Sequence, residues 1–302
     1  MLKGLHLLLF TTLFISHTFS QEKIYFFGHA YGKPALIDHK MDPSILSFLE
    51  EDYTKVVYGG DFIYDTNDQI EIENFVEFNK KRNFVLIPGN HDVNSKLFNH
   101  QENRFELVGN NLLVYLNTNF NNINEVQNSV DFLTQTIRKN IFKNVLIFSH
   151  QLFYSKSNFD IRTNSRENYE LTNLFYDEIY EYLININKKI FIYSGDIGAF
   201  RYTPYCYYNQ LNNISFYSSG LGNGLNNYCI EISIDKNNNI SNYFVDLKTK
   251  KRLDPLKFNR WKVRLYQLPK LVLYEIKQHY LILLIVLVVL LGMTLFKKRK
   301  LI

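Results

Sequence analysis

The chain has 302 residues, 46% of them hydrophobic and 16% aromatic, enough to bury one large core or two modest ones. Its net charge of +5 misleads as a global figure, because Lys248 to Lys270 holds nine basic residues against one acid and the last residues add four more cations. The region 21–247 carries 27 acids against 19 bases, a net −8, which argues against nucleic acid as a partner.

Met1 to Ser20 has Lys3, an apolar run through Leu7-Leu8-Leu9-Phe10, and small or polar residues at Thr18-Phe19-Ser20. That is the layout of a secretory signal peptide cleaved before Gln21. Lys23 to Ala30 then reads as a strand running into the turn Gly28-His29-Ala30-Tyr31-Gly32. A short helix is expected over Ser44 to Glu51, and a second strand over Thr54 to Tyr58, ending at Gly59-Gly60-Asp61. Asp68 to Arg82 has Ile72, Phe75, Val76 and Asn79 on one face of an amphipathic helix. The apolar run Phe84-Val85-Leu86-Ile87 reads as a buried strand that stops at Pro88-Gly89 and opens onto Asn90-His91-Asp92.

Phe105 to Val108 and Leu112 to Asn117 alternate like a hairpin about Gly109-Asn110-Asn111. Glu125 to Asn140 is expected to be helical, and Asn144 to Phe148 a strand ending at Ser149-His150. Glu170 to Asn187 reads as a long amphipathic helix. Ile190 to Tyr193 is a strand that ends at Ser194-Gly195-Asp196-Ile197-Gly198. Short strands follow at Asn213 to Ser218, Tyr228 to Ile234 and Ile240 to Asp246.

The alternation predicts an α/β domain, a four-layer α/β/β/α sandwich with two mixed sheets, over residues 21–247. Residues 248–279 read as a basic juxtamembrane stalk facing anionic head groups or solvent. Residues 280–296 form an uncharged run of 17 residues, spanning about 26 Å as a helix, and are expected to be a C-terminal transmembrane helix. The basic tail 297–302 marks its cytoplasmic side. The domain is thus expected outside the cytoplasm, at the periplasmic face of the inner membrane in a Gram-negative host. Export permits a disulfide between Cys206 and Cys229; two buried free thiols are the other reading, and spacing does not choose.

Five strand ends carry polar residues: His29, Asp61, Asn90-His91-Asp92, His150 and Asp196. Carboxylate, imidazole and amide oxygen together suit a divalent cation such as Mn, Fe, Zn or Mg. Outside this pattern, Arg201 follows the Gly195-Asp196 turn and is a candidate for binding a phosphate, with Arg162 and Arg166 weaker candidates.

Over residues 23–247 the chain resembles the calcineurin-like metallophosphoesterases, whose motifs run GDxH(G), GD, GNH(D/E), a lone His after a strand, and GHxH. Gly60-Asp61, Gly89-Asn90-His91-Asp92 and Ser149-His150 match the middle three. The first and last motifs are replaced by Gly28-His29-Ala30-Tyr31-Gly32 and Gly195-Asp196-Ile197-Gly198. The resemblance implies hydrolysis of a phosphorylated substrate. One metal would be held by Asp61, Asn90, His150 and Asp196, with His29 a ligand to either site. The other site loses ligands at Tyr31 and Gly198, and Tyr31 becomes a substrate-facing candidate. The resemblance also makes His91 the general acid and Asp92 the carboxylate that orients it. A metallophosphoesterase-like domain with impaired catalysis, binding a ligand or assembling with envelope partners, is the alternative.

Overall fold

The computed structural model describes residues 22–31, 43–49, 55–62, 68–80, 82–92, 103–152, 163–164, 169–199, 203–222 and 227–258, with eight further positions between 265 and 280. The expected signal peptide lies outside these residues, as does the expected spanning helix apart from Tyr280. Among the described residues, no helix is long and apolar enough to cross a membrane.

The first sheet contains β1 (Glu22–Phe27), β2 (Lys55–Gly59), β3 (Phe84–Ile87), β10 (Tyr228–Ile234), β11 (Ile240–Asp246) and β12 (Arg252–Leu253), in the order β12-β11-β10-β1-β2-β3. The second contains β4 (Arg104–Val108), β5 (Asn111–Tyr115), β6 (Asn144–Ser149), β7 (Lys189–Ser194), β8 (Cys206–Leu211) and β9 (Ile214–Ser219), in the order β4-β5-β6-β7-β9-β8. Strands β1, β2 and β3 are parallel, as are β5, β6, β7 and β9; the remaining strands, β4, β8, β10, β11 and β12, pair antiparallel. These are the two mixed sheets that the strand–helix alternation predicts.

Side-chain parity builds the layers. Ile24 and Phe26 of β1 point into a core between the sheets, together with Leu146 and Phe148 of β6. Tyr25 and Phe27, one residue out of phase, join a second core beneath α1 (Pro43–Phe48) and α2 (Gln69–Asn79). Behind the other sheet, Leu112 and Val114 pack under α3 (Ile123–Lys139) and α4 (Tyr169–Ile184). Strands β3 and β6 are covered on both faces, which is why FVLI and NVLIF carry no polar alternation. Helix α3 starts where Asn122 accepts from the Glu125 amide at 3.1 Å, while the Glu125 carboxylate accepts from the Asn121 amide at 2.8 Å.

An aromatic ladder fixes the register of the second sheet. Tyr115, Phe148, Tyr193 and Tyr217 are paired in sequence across β5, β6, β7 and β9. Their ring centroids are 5.3, 4.9 and 5.5 Å apart at interplanar angles of 17°, 17° and 21°. Parallel strands about 4.8 Å apart bring in-register rings to this stacking distance. The ladder lies within two residues of the strand ends, so it sets the level at which the following loops emerge.

Sheet pairing continues past residue 247, where the sequence reading starts its stalk. Strand β12 pairs with β11, and Arg252 holds the buried Glu231 at 2.7 Å. In the 3₁₀ turn Pro255–Phe258, Phe258 packs its ring against Tyr228 and Phe244 at 5.9 and 5.1 Å. Periodicity could not find a two-residue strand, nor β8, whose Tyr207, Tyr208 and Asn209 lack clean alternation. Cys206 and Cys229 are buried and are not joined in a disulfide. Cys206 faces the core between the sheets, whereas Cys229 lies behind the first sheet, so their side chains are separated by its backbone.

Candidate metal centre

The carboxyl ends of β1, β2, β3, β6, β7 and β9 meet at one edge of the sandwich, and backbone hydrogen bonds knit their loops together. The His29 amide donates to Gly60 O and the Tyr31 amide to Asp61 O, both at 3.1 Å. His150 O accepts from the amides of Gly195 and Asp196 at 2.9 Å, and Leu221 N donates to Gly28 O at 3.1 Å across the seam. Two of the non-glycine residues with positive φ are His29 (48°) and Asp61 (52°). Such backbone costs about 1–3 kcal/mol per residue and persists where surrounding bonds hold it, a pattern concentrated at functional sites.

His150 is the pivot. Its Nδ1 lies 2.8 Å from Gly59 O, and because a carbonyl only accepts, Nδ1 carries the proton. In the neutral ring the Nε2 lone pair then faces three oxygens: Asn90 Oδ1 at 3.1 Å, Asp61 Oδ2 at 3.6 Å and Asp196 Oδ1 at 3.9 Å. Asp61, His150 and Asp196 are all buried, and their ligand atoms lie within 4.8 Å of one another. Such a group of buried ligand atoms could hold a cation between them. The donor set, two carboxylates, one amide oxygen and one imidazole nitrogen, fits a borderline or hard divalent metal. A Cβ at Gly60 would sit 2.1 Å from His150 Nδ1, so only glycine lets the ring approach so closely.

His29 sits beside this group. Its Nδ1 donates to Leu221 O at 3.0 Å, which turns Nε2 toward Asp61 Oδ2 at 3.9 Å. Burial lowers its pKa to about 4 against the opposing pull of Asp61, so the ring is neutral near pH 7 with a lone pair available. Asp61 Oδ2 thus lies between two imidazoles, and its Oδ1 accepts from the His91 amide at 3.1 Å.

On the opposite side stand Tyr31 and Gly198. Tyr31 packs against His29 with ring centroids 4.1 Å apart and planes tilted by 54°, and meets the exposed His91 edge-on at 5.8 Å. Gly198 has φ +94°, and a Cβ there would lie 2.3 Å from Gly220 O. No ligating side chain can occupy that position without moving the backbone.

Asp92 is fully buried, and its Oδ2 accepts from the amides of Asp61 at 2.6 Å and Gly89 at 2.8 Å. Its carboxylate therefore ties the β2 and β3 turns together. Burial, reinforced by the Asp61 charge, raises its pKa well above the ordinary carboxylate value. Arg201, Arg162 and Arg166 lie outside the described residues.

Sequence reasoning passed over three groups here. Gly59 and Leu221 set the two histidine tautomers through carbonyl oxygens, which leave no mark on residue type. Asn119 donates to Pro88 O at 2.7 Å and buttresses the Asn90 turn. The polar run Asn117-Thr118-Asn119 after β5 was its available signal, a sixth polar strand end.

No family model and no curated protein sequence matches the chain. Among solved structures it is similar to GAP50, the anchor in the inner membrane complex of Plasmodium, at 15% identity over 78% of this chain and 87% of that one, with a TM-score of 0.52. It is also similar to the purple acid phosphatase PPD1 from yellow lupin (Lupinus luteus) seeds, at 12% identity over 78% of this chain and 53% of that one, with a TM-score of 0.52. The chain spans about half the length of the lupin enzyme. What these likenesses establish is the fold, a two-sheet sandwich shared with both proteins.

Proposed function

We infer that the chain is a metal-dependent phosphoester hydrolase, anchored in a membrane with its sandwich outside the cytoplasm. Its substrate would be a phosphomonoester or phosphodiester, of cell-envelope or lipid-linked origin. The observation that carries this reading is the convergence of Asn90, Asp61 and Asp196 oxygens on the Nε2 lone pair of His150. Asp61, Asn90, His150 and Asp196 would hold one divalent cation, with His29 at its margin. A cation bound there would polarise a phosphoryl oxygen and lower the pKa of a bound water.

The remaining steps fall to the chain. His91 is exposed, and its backbone is fixed by the Asp61 carboxylate, so its ring can donate a proton to the leaving oxygen of a phosphate in the cleft. Asp92 keeps the two turns in register and thereby positions His91. Tyr31, packed on His29 and His91, walls the cleft and would bear on the substrate.

A second reading is favoured by Tyr31 and Gly198, which remove the second metal position. On that reading the domain binds a ligand or assembles with envelope partners, much as the Plasmodium neighbour is an anchor in a membrane complex. The two are separated by purifying the full chain in detergent, stripping it with a chelator, and reloading Mn, Zn or Mg. Metal content and turnover of aryl phosphate mono- and diesters are then measured. Turnover that is lost in both Asn90→Ala and His91→Ala supports the hydrolase. A metal-loaded chain inert on both ester classes supports the binding role.

A further inference from the structure

The turn after β7, residues 195–199, carries Asp196, and each of its backbone amides donates within the fold. Gly195 N and Asp196 N share His150 O, and Ile197 N turns back to Gly195 O, each at 2.9 Å. The last two amides donate to side chains instead. Gly198 N reaches Thr203 Oγ1 at 3.1 Å, and Ala199 N reaches Asn164 Oδ1 at 2.9 Å. Thr203 Oγ1 itself donates to Asn164 Oδ1 at 3.2 Å, which joins the two side chains into one brace. Asn164 adds a backbone bond, its amide donating to Asp196 O at 3.1 Å. Asp196 is thus held on both sides of its Cα, by His150 through its amide and by Asn164 through its carbonyl.

Ile197, Ala199 and Thr203 are each at most 1% exposed, so solvent does not readily replace a bond lost here. Gly198 stands in the middle of the turn at φ +94°, and a glycine released from its bonds has the widest choice of conformations of any residue. We propose that Asn164 and Thr203 are positioning residues of the metal centre: they lock this turn so that the Asp196 carboxylate stays in reach of the cation shared with Asp61, Asn90 and His150. Asp196 Oδ1 lies 3.9 Å from His150 Nε2. A ligand constellation tolerates displacements of only about 0.5 Å, and a turn freed at its glycine moves its carboxylate further than that. The inference rests on the metal-dependent reading above and adds the part of the fold that aims one of its ligands. Asn164 Nδ2 makes no hydrogen bond, so the side chain acts through its acceptor oxygen alone.

The test uses the full chain in detergent, stripped of metal and titrated with Mn(II) in a calorimeter. Co(II) absorption reports the ligand geometry, and urea unfolding of the metal-free chain reports stability. Asn164→Ala should weaken Mn(II) binding about 10- to 100-fold and alter the Co(II) bands, as loss of groups that orient metal ligands does. Thr203→Val, nearly isosteric, should act in the same direction. Thr203→Ser keeps the hydroxyl and should return affinity and spectrum close to the parent's. If Asn164→Ala and Thr203→Val lower the urea midpoint yet bind Mn(II) as the parent does, with the same Co(II) spectrum, the brace is structural only. The inference then falls while the metal site stands. Should Asn164→Ala fail to fold, the Thr203 pair decides: equal affinity in Thr203→Val and Thr203→Ser overturns the inference. A parent chain that binds neither Mn(II) nor Co(II) removes the metal-dependent reading and this inference with it.

Discussion

Asp92→Ala should destabilise the domain more than its place beside His91 in the chain would suggest. The side chain accepts from two backbone amides, Asp61 at 2.6 Å and Gly89 at 2.8 Å, in a site with no solvent access. Each buried donor left without an acceptor costs about 1–3 kcal/mol, so the pair costs about 2–6 kcal/mol. For a domain with about 5–15 kcal/mol of total stability, that is a large share. The loss would also free Asp61 from its left-handed backbone and scatter the ligand set. Asp92→Asn retains one acceptor oxygen and should cost less. The measurement is urea unfolding of the chelator-treated chain, comparing midpoints at unchanged m-value. If Asp92→Ala unfolds within about 1 kcal/mol of the parent while losing only turnover, the carboxylate acts through His91 alone and the clamp argument fails.

Further outcomes follow from the same geometry. His150→Ala should weaken Mn binding by at least about 100-fold in calorimetric titration, more than loss of an outer hydrogen-bond partner would. Unchanged affinity would place the metal elsewhere. Gly198→Ala forces a Cβ to within 2.3 Å of Gly220 O at φ +94° and should cost about 2–5 kcal/mol in the unfolding assay. Gly198→His should add no second equivalent of metal by elemental analysis. Burial also raises the phenol pKa values of Tyr115, Tyr176, Tyr193 and Tyr217 above their ordinary 10.0, and the Cys206 thiol above 9.0. The unfolded chain releases these protons first. Their contribution is therefore complete below about pH 9 and declines as pH rises through 10, by about 1.4 kcal/mol per pH unit for each group. A urea midpoint that stays level to about pH 11 would contradict their burial.

The sequence by itself determined the strand ends. Runs such as Phe84-Val85-Leu86-Ile87 are apolar because both faces are covered, and the polar residue after each run must lie where the sheet stops. That local reasoning found Asp61, Asn90, His150 and Asp196 without knowing that they touch, and the expected leader and apolar tail were likewise read from composition. Tertiary structure alone decided which of these residues converge and what each one holds. Asp92 is adjacent to His91 in the chain, yet its carboxylate reaches the Asp61 amide 31 residues away. The tautomers of His29 and His150 are set by carbonyl oxygens of Leu221 and Gly59, groups that every residue possesses. Cys206 joins the core between the sheets, whereas parity turns Cys229 to the other face of β10. Local periodicity records which face of an element is buried; it carries no record of the non-local hydrogen bonds and register that turn a row of strand ends into a site.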